Sequence, residues 1–202
     1  MPAFELQDDG ATLRVERSDG APGERLGYED FCALLGLGAA QRYEATCERL
    51  VSAAASFVAP VRRTGVRREV FRRLALAWLL RDGDAHLRTL ALLYSGIDDV
   101  RLAPVHCLAT TAVAPGRADD GPALQLAGRR SWKLPKGAWR KFGAHCSLTD
   151  RESLGIFQWF GQAVQAEIAE LEREHATGPR GDLVRALHAQ WRTGLEDLLA
   201  AH

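Results

Sequence analysis

Residues 67–80 place Val70, Phe71, Leu74, Ala75, Trp78 and Leu79 on one stripe of a helical repeat, and the stripe ends abruptly at Arg81-Asp82-Gly83-Asp84. A run of that length is an amphipathic or largely buried helix, and its apolar side has to be covered by other elements. Beyond the acidic turn the pattern changes. Residues 90–94, 101–105 and 123–127 are short apolar runs separated by turn residues, which predicts two or three small strands. A buried helix handing over to small strands restricts the chain to a mainly α fold with a few short strands, of the α+β class.

The remaining segments fit around that pair. Leu13 and Val15 alternate with Thr12, Arg14 and Glu16, the period-two signature of a short strand that stops at Ser18-Asp19-Gly20. Residues 28–38 read as a short helix closed by glycine, and 41–58 as a second helix running up to Pro60. Thr149 and Glu152 have capping-box spacing and open a long helix through Leu171, with Ile156, Phe157, Phe160, Val164, Ile168 and Leu171 on one side. After Thr177-Gly178-Pro179, a last helix from about Asp182 carries Val184, Leu187, Trp191, Leu195 and Leu198, and the two helices are expected to pack antiparallel. Residues 114–122 are expected to form a loop. At 202 residues there is room for one core.

Acidic and basic residues balance at 26 each, so no global field draws the chain to nucleic acid or an anionic membrane. The local exception is a stretch with Arg129, Arg130, Trp132, Lys133, Lys136, Trp139, Arg140 and Lys141, which holds every lysine of the chain. It reads as a solvated face over buried tryptophans, or as a contact for nucleic acid or an acidic partner. Cys32, Cys47, Cys107 and Cys146 show no C-x-x-C spacing and fit reduced thiols. The N-terminus is acidic and lacks an apolar signal core, and no apolar run reaches the ~18 residues of a membrane span, so the cytoplasm is the expected compartment. His106-Cys107 and His145-Cys146 invite a zinc reading. Adjacent side chains on extended backbone point to opposite faces, however, so neither pair is expected to give two ligands to one ion.

The chemistry-bearing residues follow the buried helix: Asp84, Thr89 five positions later, and His106-Cys107 beyond the next strand. Phosphoryl transfer uses such a layout. A carboxylate behind a rigid helix orients the acceptor hydroxyl, a ligand shortly after it reaches magnesium, and an acid beyond the next hairpin bridges that metal to the phosphates. Here only the first acid is present. By spacing alone Asp84 reads first as an acidic turn residue, and His86 as a histidine that bonds backbone and fixes the loop.

Residues 78–94, Trp-Leu-Leu-Arg-Asp-Gly-Asp-Ala-His-Leu-Arg-Thr-Leu-Ala-Leu-Leu-Tyr, followed by Arg-Leu-Ala-Pro-Val at 101–105, resemble the C-terminal lobe of HipA-type serine/threonine kinases, the toxins of bacterial toxin–antitoxin modules. The resemblance extends from about Leu13 to Leu171, through 15–19, 26–37, 124–128 and 140–146. It implies a hinge-like strand segment over 1–20 and a single kinase C-lobe-like helical domain over 21–202, without the smaller lobe. It also implies that Asp84 stands at the catalytic aspartate and Arg88 at a usual lysine position, with His86 between them in the remnant catalytic loop.

Three positions depart from the family pattern. Thr89 replaces a metal-binding asparagine, Cys107 replaces a metal-binding aspartate, and Ser18 replaces a hinge aromatic. Magnesium favours hard oxygen ligands, so a neutral hydroxyl is a poor substitute and a thiol a worse one. No lysine precedes Lys133, and the first twelve residues hold no glycine-rich phosphate loop. The resemblance therefore implies a catalytically degenerate C-lobe that takes no cofactor alone. It would act as a protein-binding component of a toxin–antitoxin system, with an antitoxin, small-lobe subunit or related kinase as partner and no direct nucleic-acid contact. The alternative is the C-lobe of a split kinase toxin, whose small lobe comes in trans and which binds ATP and magnesium only as the pair.

Overall fold

Helix α3 (Arg63–Leu80) runs through the core because its C-terminal half is apolar nearly all round, with Val70, Phe71, Leu74, Ala75, Ala77, Trp78 and Leu79 buried. The computed structural model describes residues 3–7, 12–17, 26–118, 120–175 and 180–202. Against α3 pack α2 (Cys47–Ser56) and α6 (Arg180–Ala200), the latter also lying along α5 (Asp150–His175). Phe71 and Trp78 of α3 begin a continuous aromatic stack. Trp132, Trp78, Trp139 and Phe71, then Phe142 of α4 (Ala138–His145) and Phe157 of α5, meet with ring centroids 5.5–5.9 Å apart. Edge-to-face and offset pairs of this kind each add about 0.5–1.5 kcal/mol beyond the area they bury. They hold the end of α3, and so the turn after it, in one place.

Two small antiparallel sheets complete the α+β fold. One is a ribbon of β1 (Phe4–Gln7) and β2 (Thr12–Val15), registered with Phe4 opposite Val15. The other has the order β3 (Gly27–Asp30), β4 (Ala91–Tyr94), β5 (Val100–Leu102), and the short helix α1 (Phe31–Leu34) follows β3 directly. The capping box forms as its spacing predicts: Glu152 N donates to Thr149 Oγ1 at 3.2 Å and Thr149 N to Glu152 Oε2 at 2.8 Å. Among the described residues no helix is long and apolar enough to cross a membrane.

Four expected elements change. Only Phe31–Leu34 of the expected 28–38 helix is helical; the preceding residues pair with β4, and extended Asp30 caps α1 by accepting from Ala33 N at 3.0 Å. The helix expected over 41–58 begins at Cys47, because Thr46 is extended and its side chain accepts from Arg49 N. Residues 123–127 make no strand. Gln125 forms a lone bridge to Thr46, and positive φ at Ala127 and Gly128 turns the chain so that Leu126 meets Arg129. The long helix runs to His175, past the expected Leu171. Ser18-Asp19-Gly20 and Thr177-Gly178-Pro179 lie outside the described residues, as does Asp119 of the expected loop.

Candidate functional site

The acidic turn begins at Arg81, which ends α3 in the left-handed region (φ 58°, ψ 43°) that a helix end usually gives to glycine. Long-range contacts hold it there. Its guanidinium, 4 % exposed as a residue, meets Asp197 of α6 at 2.5 Å and lies 5.1 Å from the Trp132 ring. Thr111 Oγ1 donates to Arg81 O at 3.1 Å and accepts from Gly83 N at 2.7 Å, while Trp191 Nε1 of α6 donates to Thr110 Oγ1 at 2.6 Å. Gly83 is needed for this approach, since an added Cβ would lie 3.0 Å from Gly121 O and 3.2 Å from Thr111 Oγ1.

The turn presents two carboxylates in different settings. Asp82 is 2 % exposed; its oxygens accept from Asp84 N at 3.0 Å and Ala109 N at 3.3 Å. Burial pushes its carboxyl above the ordinary carboxylate range, and those two amides oppose the shift. Asp84 is half-buried, and its Oδ1 accepts from the Tyr43 hydroxyl at 2.6 Å. The Tyr43 ring lies edge-on to His86 with centroids 5.2 Å apart, and Arg42 stacks over it at 4.8 Å.

His86 Nδ1 accepts from Arg88 N at 3.3 Å, and burial holds its imidazole below the usual range. Arg88 turns outward, 3.4 Å from Asp30 Oδ2, and so ties the loop to the cap of α1. Thr89 spends its hydroxyl on His86 O at 2.9 Å. Thr89 and Cys107 line one cavity of about 20 Å³, room for about one water molecule, together with Asp82, His106 and Arg73. Asp84 is not among its lining residues.

Cys107 corrects one expectation. His106 and Cys107 do not diverge: Cys107 has φ 56°, which swings Sγ to 3.2 Å from His106 Nδ1, and His106 Nε2 lies 3.0 Å from the Tyr28 hydroxyl. Burial also holds His106 below the ordinary imidazole range. His145 and Cys146 do diverge, the first exposed and the second buried.

The donors around the cavity fit magnesium poorly. A thiol, a hydroxyl already donating to backbone, and a buried carboxylate already accepting two amides leave few hard oxygens for an ion that demands near-octahedral oxygen geometry. Among the described residues no three His, Cys, Asp or Glu side chains converge to hold a metal.

Sequence reasoning missed Tyr43, Thr111 and Asp197, and it treated Asp82 only as a turn residue. Tyr43 falls in a stretch expected to be helical. Thr111 and Asp197 reach the turn from 28 and 116 residues away, a separation that no local pattern reports.

The HipA-like C-terminal domain model matches residues 1–169. No match is found among curated proteins. Among solved structures the chain is similar to the toxin HipA of Shewanella oneidensis MR-1, solved in complex with HipB and its operator DNA. The identity is 16 % and the TM-score 0.78, over 96 % of this chain and 51 % of that one. The chain thus spans about half the length of that protein, and at this identity the likeness establishes the fold alone. With a family model covering most of its length, the chain belongs to the HipA-like C-terminal domain family.

Proposed function

We propose that this chain is a catalytically degenerate HipA-like C-lobe that works by binding another protein of a toxin–antitoxin system. The carrying observation is the donor set at the cavity: its lining includes Thr89 and Cys107, which the resemblance puts at the family's metal-ligand positions, and the carboxylate beside them, Asp82, is buried and committed to backbone. A phosphotransferase of this kind stabilises the transferring group with magnesium, and these side chains hold it poorly. The binding role is supported by the β1–β2 ribbon, taken as the hinge-like segment. Phe4 and Val15, directly opposed, are 58 % and 46 % exposed, and Leu13 is 58 % exposed. A two-stranded ribbon is marginal alone, and apolar side chains left in water favour a covering partner.

One observation favours a second reading, the split kinase. Asp84 is retained at the rim of a braced turn and oriented by a 2.6 Å hydrogen bond from Tyr43, as a general base needs to be. Radiolabelled ATP with magnesium, added to the purified chain alone and to the chain co-purified with its neighbouring gene products, separates the two. The favoured reading expects no transfer in either sample. Transfer confined to the co-purified sample and lost in Asp84→Asn establishes the split enzyme instead, and transfer by the chain alone defeats both readings.

A further inference from the structure

Charge is distributed unevenly along this chain. Between Asp120 and Asp150 there is no carboxylate, yet the stretch holds Arg129, Arg130, Lys133, Lys136, Arg140 and Lys141. The formal net charge of the whole chain is zero, so the remainder carries the opposite excess. All six cations are exposed. Among the described residues, Arg140 alone of the six has a carboxylate within ion-pair distance, Asp150 at 3.7 Å, and both side chains are more than half exposed. The patch continues to the acidic turn. Arg130 Nη2 donates to Tyr43 O, its guanidinium lies 5.9 Å from the Tyr43 ring, and Arg42 stacks over that same ring.

We propose that residues 129–141, with Arg42, form a docking surface for an acidic polypeptide segment; this rests on the protein-binding reading above and names the chemistry of the partner. Several observations favour a polypeptide over nucleic acid. Trp139 is fully buried, Trp132 and Tyr43 are partly buried, and Arg42 already covers the Tyr43 ring, which leaves no fully exposed aromatic among the cations for base stacking. The first amides of α4 are spent internally, Ala138 N on Pro135 O and Trp139 N on Ala201 O, so the helix start offers no phosphate cradle. Side-chain carboxylates need only the flexible ammonium and guanidinium groups this surface displays.

The test is fluorescence anisotropy of labelled poly-L-glutamate titrated with the full chain at low and at about physiological ionic strength. Lys133→Glu, Lys136→Glu and Lys141→Glu are combined in one variant and the corresponding Gln substitutions in a second. A control combines Arg173→Glu, Arg185→Glu and Arg192→Glu on α5 and α6, which changes net charge equally, and melting curves confirm that each variant folds. Expected are saturable, salt-sensitive binding, a loss of about tenfold or more in the Lys→Glu variant, a smaller loss in the Gln variant, and less than about twofold in the control. The proposal is overturned by absent saturable binding, by an equal loss in the control, or by tighter binding of a DNA duplex than of poly-L-glutamate. Magnesium–ATP titrated into the same samples keeps the two readings apart. Nucleotide binding would defeat the degenerate-lobe reading without moving the polyglutamate result, and failed polyglutamate binding would leave that reading standing.

Discussion

Replacing Asp197 with alanine strands the Arg81 guanidinium, and the cost follows from its surroundings. Arg81 Nη2 reaches Asp197 Oδ2 at 2.5 Å, and the two side chains are 5 % and 17 % exposed. Nη1 is buried without a hydrogen-bond partner among the described residues. Removing the carboxylate therefore leaves a cation that is neither paired nor well hydrated, a change that costs about 3–5 kcal/mol when a pair is fully buried. Asp197 is partly exposed, so water enters the vacated space and the lower end, about 3 kcal/mol, applies. At roughly 2–4 °C per kcal/mol for a chain of this size, Tm falls by about 6–12 °C. Circular-dichroism melts and urea titrations at pH 7 measure this directly. Arg81→Met combined with Asp197→Leu should recover most of the loss, because two apolar side chains leave no stranded charge. A loss below about 1 kcal/mol in Asp197→Ala would refute the inference that α6 anchors the acidic turn through this pair.

Gly194→Ala improves intrinsic helix propensity, yet its Cβ would overlap Leu79 O where α6 meets α3. A net destabilisation of about 1–3 kcal/mol in urea is expected, and a stabilised variant would show that the two helices are not in contact there. Tyr43→Phe removes the hydroxyl that Asp84 accepts and should cost about 1 kcal/mol, read from the same titration; an unchanged midpoint would mean the contact adds nothing. In a thiol titration of the native chain at pH 8, Cys107 should react fast and Cys47 and Cys146 slowly. Burial pushes the Cys146 thiol up to about 12 and Cys47 well above the ordinary range, and all four should react in denaturant. His86 and His106 are held below the ordinary imidazole value of 6.5, so their contribution to stability is present above that pH and is lost as pH falls through their lowered native values. The urea midpoint should therefore drop between pH 7.5 and 5.5, less so in His106→Gln, and an equal drop in that variant would remove His106 from the explanation.

What the sequence made legible was local. The buried stripe of α3, the capping box at Thr149 and the two closing helices follow from periodicity and end signals, and all three appear, the first closing helix running on past its expected end. Tyr28 and Glu29 look helical because they lead straight into an apolar run that ends at glycine, but β4 recruits their backbone from more than sixty positions away. Residues 123–127 have the composition of a strand and find no strand partner beyond one bridge. At the site, Thr89 and Cys107 are brought together by the family resemblance and not by spacing, and both line one cavity. The Tyr43 hydroxyl on Asp84 and the Asp197 carboxylate on Arg81 depend on tertiary packing, which no spacing encodes. Neither could the strained φ at Cys107 be read in advance, although it decides where the thiol points.

That Thr89 and Cys107 cannot sustain a metal site is tested most directly by manganese electron paramagnetic resonance, since manganese replaces magnesium at oxygen sites and loses its sharp free-ion signal when bound. Added to the full chain with and without ATP, manganese should show the same free-ion signal as a protein-free control of the same ATP content, whereas Thr89→Asn combined with Cys107→Asp should attenuate it below that control. Saturable attenuation below that control by the unaltered chain, abolished in Thr89→Ala combined with Cys107→Ala, would contradict the degenerate reading.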